Sequence, residues 1–261
     1  MNLREALGRL KKQKFVFVAP GGNQGDFMIY AGANKLADEI GLRYRSILCS
    51  RKSQPPKIFD EVIYIHGGGG FCRWWRWTPK LLQMLRKTNP ENHIIIGPTT
   101  VDTDRDHLDR TLKIDDNMTF FARELITYNI MQDYCDDVYL DHDTALHLHP
   151  DDSYFKKLVG NLEMREDFSL LALRSDGESS KRLPSSIRKE NFDKVVDPCR
   201  RKDWASLHMY ANRIVTDRSH SAIMGAILGK NTSLFANAYH KNQSIWDYSL
   251  RQRGVKWIAF A

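Results

Sequence analysis

Residues 15–41 read FVFVAPGGNQGDFMIYAGANKLADEIG, and this stretch decides the fold. Phe15 to Ala19 is a short run of β-branched and aromatic residues. Asp26 to Ile40 carries apolar residues at helical spacing (Phe27, Ile29, Tyr30, Leu36 and Ile40) and stops at Gly41. Between them lies the glycine-rich turn Pro20 to Gly25. A strand, a glycine turn and a helix make one βα unit, and such units build parallel sheets because parallel strands need crossover connections.

The same alternation continues outward. Strands are predicted at Tyr44–Cys49, Val62–Ile65, Ile94–Ile96, Phe120–Phe121 and Val138–Leu140, with helices near Lys80–Lys87 and Glu124–Asp133. The turn Pro150-Asp151-Asp152 precedes a second series: strand Ser169–Leu173, helix Trp204–Asn212, strand Ile214–Thr216, helix Ser219–Leu228, strand Ser233–Phe235, helix Ser244–Arg251 and strand Val255–Phe260. The polar segment between Arg174 and Val195 reads as a long exposed, mobile loop. The expected architecture is α/β, two Rossmann-like halves with parallel sheets facing a cleft, residues 1–155 and 156–261.

Length and composition agree. At about 150 residues per domain, 261 residues suit one large or two small α/β domains. A net charge of +7 points to anionic partners: a polyanion, an anionic membrane surface or a phosphorylated substrate. No apolar run approaches the roughly 18 to 20 residues of a membrane helix, and the basic N-terminus lacks a secretory signal's apolar segment, so a cytoplasmic location is expected. Cys49, Cys72, Cys135 and Cys199 lie far apart, as isolated thiols in a reducing compartment do.

Six stations carry candidate chemistry. Pro20 to Asp26 sits where doubly wound sheets bind ligands, although it matches neither a Walker loop nor G-x-G-x-x-G. His66-Gly67-Gly68-Gly69-Gly70 follows a strand, and so many glycines suit close approach of a ligand or of another backbone. Arg73-Trp74-Trp75-Arg76-Trp77 offers aromatic faces and cations to sugars, bases or an interface, or else buries its tryptophans in the core. Asp141 to His149 is rich in histidine and carboxylate, but its spacing puts no proper metal-ligand set on one face, so no metal is expected. Arg174 leaves a strand towards the expected cleft, with a salt bridge to Asp176 or Glu178 as its alternative. Asp217-Arg218-Ser219-His220 ends a strand and opens a helix, which places a guanidinium and a proton donor at a helix N-terminus, with Ser219 as N-cap and Arg218 solvated as the alternative.

Taken in order, these pieces resemble the polysaccharide pyruvyl transferase family: GNQGD at 22–26, HGGGGF at 66–71, FFARE at 120–124 followed by Thr127, LDHDTALHL at 140–148, LALRSDGE at 171–178, and DRSHSAIMGAILGKNTSLFANAYHKN at 217–242. Serine stands between Arg218 and His220 where the family more often has leucine, and threonine at 127 where it has serine. The resemblance implies a glycosyltransferase-B-like fold and transfer of a pyruvyl group from phosphoenolpyruvate to two hydroxyls of a sugar in a polysaccharide or its lipid-linked precursor, giving a cyclic ketal and phosphate, in the cytoplasm or peripherally at the inner face of the membrane. It implies no cofactor, metal or nucleic acid. His220 is then the general acid and Arg218 its catalytic partner. Arg174, Lys241, Ser219, Asn23, Asp26, Gly68, Gly69 and Arg123 contribute to substrate binding, with Asn23 and Asp26 on the half opposite His220, and Arg73, Trp74 and Trp77 contact the acceptor. From the residues alone, a glycosyltransferase using a nucleotide sugar, or a noncatalytic glycan or nucleic-acid binding protein, fits the same anion site and basic surface.

Overall fold

The computed structural model describes residues 1–49, 54–102, 108–109, 117–159, 168–200 and 203–260. The chain divides into two compact units, Met1–Gly22 with Met28–His147, and Asn23–Phe27 with Leu148–Ala261.

The first unit opens with helix α1 (Leu3–Arg9), whose Asn2 and Glu5 form a reciprocal cap. Then come β1 (Lys14–Ala19), α2 (Gln24–Ile40, its first residues belonging to the second unit), β2 (Arg43–Leu48), β3 (Glu61–Ile65), β4 (Gly68–Cys72), α3 (Trp77–Thr88), β5 (Ile94–Asp102), β6 (Met118–Ala122), α4 (Leu125–Met131) and β7 (Asp137–Leu140). All pairings are parallel, in the order β2-β1-β3-β5-β6-β7, with β4 added on β5. Both faces are covered, which is why the strands read as continuous apolar runs. Val16, Val18, Ile63 and Ile65 pack with Leu81, Leu82 and Leu85 of α3 on one face. Phe15, Phe17, Val62 and Tyr64 pack with Leu3 and Leu7 of α1 and Leu36 of α2 on the other.

Two elements differ from expectation. β5 runs on through Gly97-Pro98 to Asp102, and Gly68 to Gly70 of the glycine run form part of strand β4 alongside it. A Cβ on Gly67 would stand 2.0 Å from the Pro98 carbonyl oxygen, so glycine there serves the approach of two backbones.

The second unit comprises α5 (Ser153–Val159), β8 (Phe168–Ala172), β9 (Lys194–Val196), α6 (Trp204–Tyr210), β10 (Ala211–Thr216), α7 (Ser219–Ile227), β11 (Asn231–Phe235), α8 (Lys241–Ile245) and β12 (Lys256–Ile258). Its sheet is also parallel, in the order β9-β8-β10-β11-β12. Phe168, Leu170 and Ile214 face Leu207 of α6, while Leu171 and Val215 pack with Ile187 and Phe235 on the opposite side. Sequence reasoning misses β9, three residues between aspartates at the sheet edge. The expected helix Ser244–Arg251 begins earlier, at Lys241, and passes from α through π to 3-10 geometry. All four cysteines are buried, free thiols.

Candidate functional site

The strand order of the second unit reverses between β8 and β10: the chain leaves β8 for β9 on one side and returns to β10 on the other. Open α/β sheets bind ligands at such a switch point, beyond the C-terminal strand ends. Arg174 lies just past β8, and Asp217 to His220 follow β10 directly. The two strand ends are stitched together. The Arg174 backbone N–H donates to Asp217 Oδ1 at 2.7 Å, and the Thr216 hydroxyl donates to the Ala172 carbonyl at 2.7 Å. Burial pushes the Asp217 carboxyl up to about 6.

Three cations gather here, each with a carboxylate partner. Arg174 donates to both oxygens of Asp176, at 2.9 and 2.8 Å, and to Glu178 Oε1 at 2.9 Å. Arg218 pairs with Asp197 and donates through Nε to the Leu173 carbonyl at 3.3 Å. Lys241 pairs with Glu178. Burial works to raise the Asp176 carboxyl, but hydrogen-bonded Arg174 outweighs it and holds the group below its usual value. Arg218, not Ser219, occupies the N-cap position of α7. The Ser219 hydroxyl instead donates to Asn242 Oδ1 at 2.7 Å, and the Asn242 amide donates to the carbonyls of Asp217 and Phe235. α8 therefore braces the turn that presents Arg218 and His220.

His220 sits in the first turn of α7, with Nδ1 3.9 Å from Oδ1 of Asp26. Asn23–Phe27 group with this unit and not with the rest of the first 155 residues, so Asp26 is a neighbour of His220 and not a group of the opposite half. A side chain on Gly25 would place its Cβ 2.4 Å from His220 Cβ, so this turn closes directly on the imidazole. The second carboxylate oxygen of Asp26 accepts the Asn23 backbone N–H at 2.6 Å, which fixes the turn. Asn23 is itself exposed.

The sequence model of the polysaccharide pyruvyl transferase family matches residues 23–239. The chain belongs to that family. The matched span runs from the turn that carries Asp26, through the Arg174 strand end and α7, to Tyr239. A solved structure, a functionally uncharacterised protein of Klebsiella pneumoniae, superposes with TM-score 0.69 at 19% identity, covering 98% of this chain and 96% of the other. That likeness shows a shared fold. A periplasmic sugar-binding protein of an ABC transporter from Legionella pneumophila matches with TM-score 0.30 at 12% identity over 94% of this chain and 87% of the other, too slight to carry an argument. No curated protein matches the chain.

In this pyruvyl transferase the other expected site residues lie in the first unit, and several are held by structural partners. Arg123, 1% exposed, donates to Thr100 Oγ1 at 2.8 Å and pairs with Asp143 at 2.7 Å. Glu124 caps α4, accepting from the backbone N–H groups of Ile126 and Thr127, and the Thr127 hydroxyl accepts the Val101 N–H. FFARE and Thr127 thus tie β5, β6 and α4 together. Trp77 belongs to the core and donates from Nε1 to the Cys49 carbonyl at 3.1 Å, so burial replaces the expected acceptor contact. Arg73 pairs with Asp102 and lies over the ring of Trp74, which is half-buried. Gly68 and Gly69 are strand residues of β4. Within Asp141–His149, Asp143 holds Arg123 and Asp141 accepts the Leu3 backbone N–H; among the described residues no cluster of metal-ligating side chains occurs. Sequence reasoning missed Asp197, Asn242 and Tyr239. The only signal for Asp197 is its place before Pro198 at the end of a short apolar run. No described helix is long and apolar enough to cross a membrane.

Proposed function

We propose that the protein moves a pyruvyl group from phosphoenolpyruvate onto two hydroxyls of one sugar, in a cell-surface polysaccharide or its lipid-linked precursor. The products are a cyclic ketal and phosphate. The observation that supports this reading is the gathering of His220, Arg218, Arg174 and Lys241 around one strand-order reversal in a chain of this family. His220 delivers a proton to carbon 3 of the enol, which becomes the methyl group, and carbon 2 gains oxocarbenium character. One sugar hydroxyl adds to carbon 2 and returns its proton to the imidazole of His220, and the second hydroxyl closes the ring as phosphate leaves with the C–O bond electrons and takes up that hydroxyl's proton. Asp26 stands beside the imidazole that makes the transfer. Arg218 and Arg174 hold the donor's carboxylate and phosphate, which a planar guanidinium suits.

The donor oxygens enter by exchange with Asp197 on Arg218 and Asp176 on Arg174, whose side chains keep 15% and 12% exposure. Asn23, exposed in the same turn, is left to serve the acceptor. Four reduced thiols and a phosphoenolpyruvate donor fit a cytoplasmic enzyme acting at the membrane's inner face.

The test mixes protein, phosphoenolpyruvate and a panel of saccharides and follows inorganic phosphate by phosphorus NMR. Acceptor-dependent release is expected. Absence of release across the panel, with a nucleotide sugar raising the melting temperature where phosphoenolpyruvate does not, would replace this reading with a glycosyltransferase.

A further inference from the structure

Glu178 lies in the polar segment that the sequence presents as an exposed loop, yet it is 3% exposed. Its backbone is pinned on both sides: its N–H donates to Asp176 Oδ1 at 3.1 Å, and its carbonyl accepts the Ala238 N–H at 2.9 Å. Its two carboxylate oxygens do different work. Oε1 accepts from Arg174 at 2.9 Å; Oε2 accepts from Lys241 and from the Tyr239 hydroxyl, the latter at 3.1 Å. Lys241 Nζ lies 5.1 Å from the centre of the Tyr239 ring, so the aromatic face and hydroxyl of one residue frame the ammonium and its acceptor.

We propose that Glu178 is a positioning residue, a buried carboxylate that sets the spacing of Arg174 and Lys241 for the donor's anionic groups; this rests on the donor reading above. The two cations come from separate elements, the end of β8 and the start of α8, and would repel each other at close range. One carboxylate between them, with one oxygen for each, fixes both at the distance its own geometry sets. Asp176, on Arg174, and Asp197, on Arg218, are each more exposed than Glu178. Those two are exchangeable seats for an incoming anion, while Glu178 stays in place.

Steady-state kinetics with phosphoenolpyruvate varied at saturating acceptor test this on Glu178→Gln, Glu178→Asp and Lys241→Gln. Glu178→Gln keeps the shape and removes the charge; it is expected to raise KM for phosphoenolpyruvate about tenfold or more, the worth of a charged hydrogen bond, and to change kcat far less. Glu178→Asp should recover part of the loss. Glu178→Gln and Lys241→Gln combined should raise KM by clearly less than the product of the single effects, because both act through one contact. If Glu178→Gln does not fold, Glu178→Asp carries the test, with a raised KM expected from its shorter reach. A KM that is unchanged or lowered in the folded variant, or strictly multiplicative effects in the double variant, overturns the positioning role while wild-type turnover of phosphoenolpyruvate stands. A wild type that does not turn over phosphoenolpyruvate overturns the donor reading itself, and this role with it.

Discussion

Nδ1 of His220 stands 3.9 Å from Oδ1 of Asp26, although 194 positions separate them in the chain. The glycine turn after β1 therefore bears on the first turn of α7, and the proposed acid has a carboxylate beside it. Replacing His220 by alanine is expected to lower kcat by about 10² to 10⁴-fold while phosphoenolpyruvate binding, read from its effect on the melting temperature, stays close to wild type. Asp26→Asn should lower kcat by about tenfold, roughly 1.4 kcal/mol of transition-state stabilisation. Full activity in His220→Ala would remove it from the mechanism.

Gly25→Ala probes the same contact from the other side. The added methyl overlaps the His220 side chain, so the imidazole or the turn must shift. A displacement of about 1 Å at a reacting group lowers turnover by about a hundredfold. The expected outcome is a large fall in kcat with the melting temperature little changed; an unaffected kcat would show that this turn has no bearing on the chemistry.

Arg218→Lys keeps the charge and loses the fork. Both the Asp197 pairing and the Nε donation to Leu173 depend on guanidinium geometry, so donor affinity should fall by about tenfold or more in isothermal titration. Equal affinity would make Arg218 a structural residue.

Arg123→Ala should act on stability and not on the donor. It strips buried Asp143 of its guanidinium, which costs about 3–5 kcal/mol, seen as a large drop in denaturant midpoint. The folded fraction should bind phosphoenolpyruvate as wild type does; selective loss of binding without destabilisation would contradict this assignment.

Stability should respond to acid in two opposed ways. Burial holds His66 down to about 3 and His208 down to about 4, so below about pH 6.5 the unfolded chain gains protons that the folded chain refuses, and stability falls. Burial raises Asp217 to about 6, so its ionised form opposes folding above that pH, and the opposition is relieved as pH falls from about 6 towards 4. Asp217→Asn retains an oxygen for the Arg174 N–H and should be more stable than wild type at pH 7.5, by about 1–3 kcal/mol, with the advantage gone by about pH 4. Chemical denaturation across this range measures the difference.

Local pattern made most of the fold legible. Both faces of the parallel sheets are covered, so β1, β3, β6 and β8 appear as unbroken apolar runs, and glycine turns mark where strands give way to helices. The arginine and histidine of the β10–α7 turn were legible for the same reason, because strand end and helix start adjoin in sequence. Partners across the sheet were not. Asp197 reaches Arg218 from 21 residues away and Lys241 reaches Glu178 from 63, separations at which no periodicity operates. The glycine run was legible as a close approach and not as a strand, because a strand of glycines carries no side-chain pattern, and an arginine buried on an aspartate, as Arg123 is, looks the same in sequence as one awaiting a ligand.

The reaction run in heavy water tests the central claim most directly, with the sugar product examined by mass spectrometry and proton NMR. If carbon 3 of phosphoenolpyruvate takes one proton through His220, the ketal's methyl group carries a single deuterium, one phosphate appears per ketal, and His220→Ala forms both about 10² to 10⁴-fold more slowly. A sugar product without a pyruvyl methyl, or one whose methyl holds no deuterium, would contradict the account.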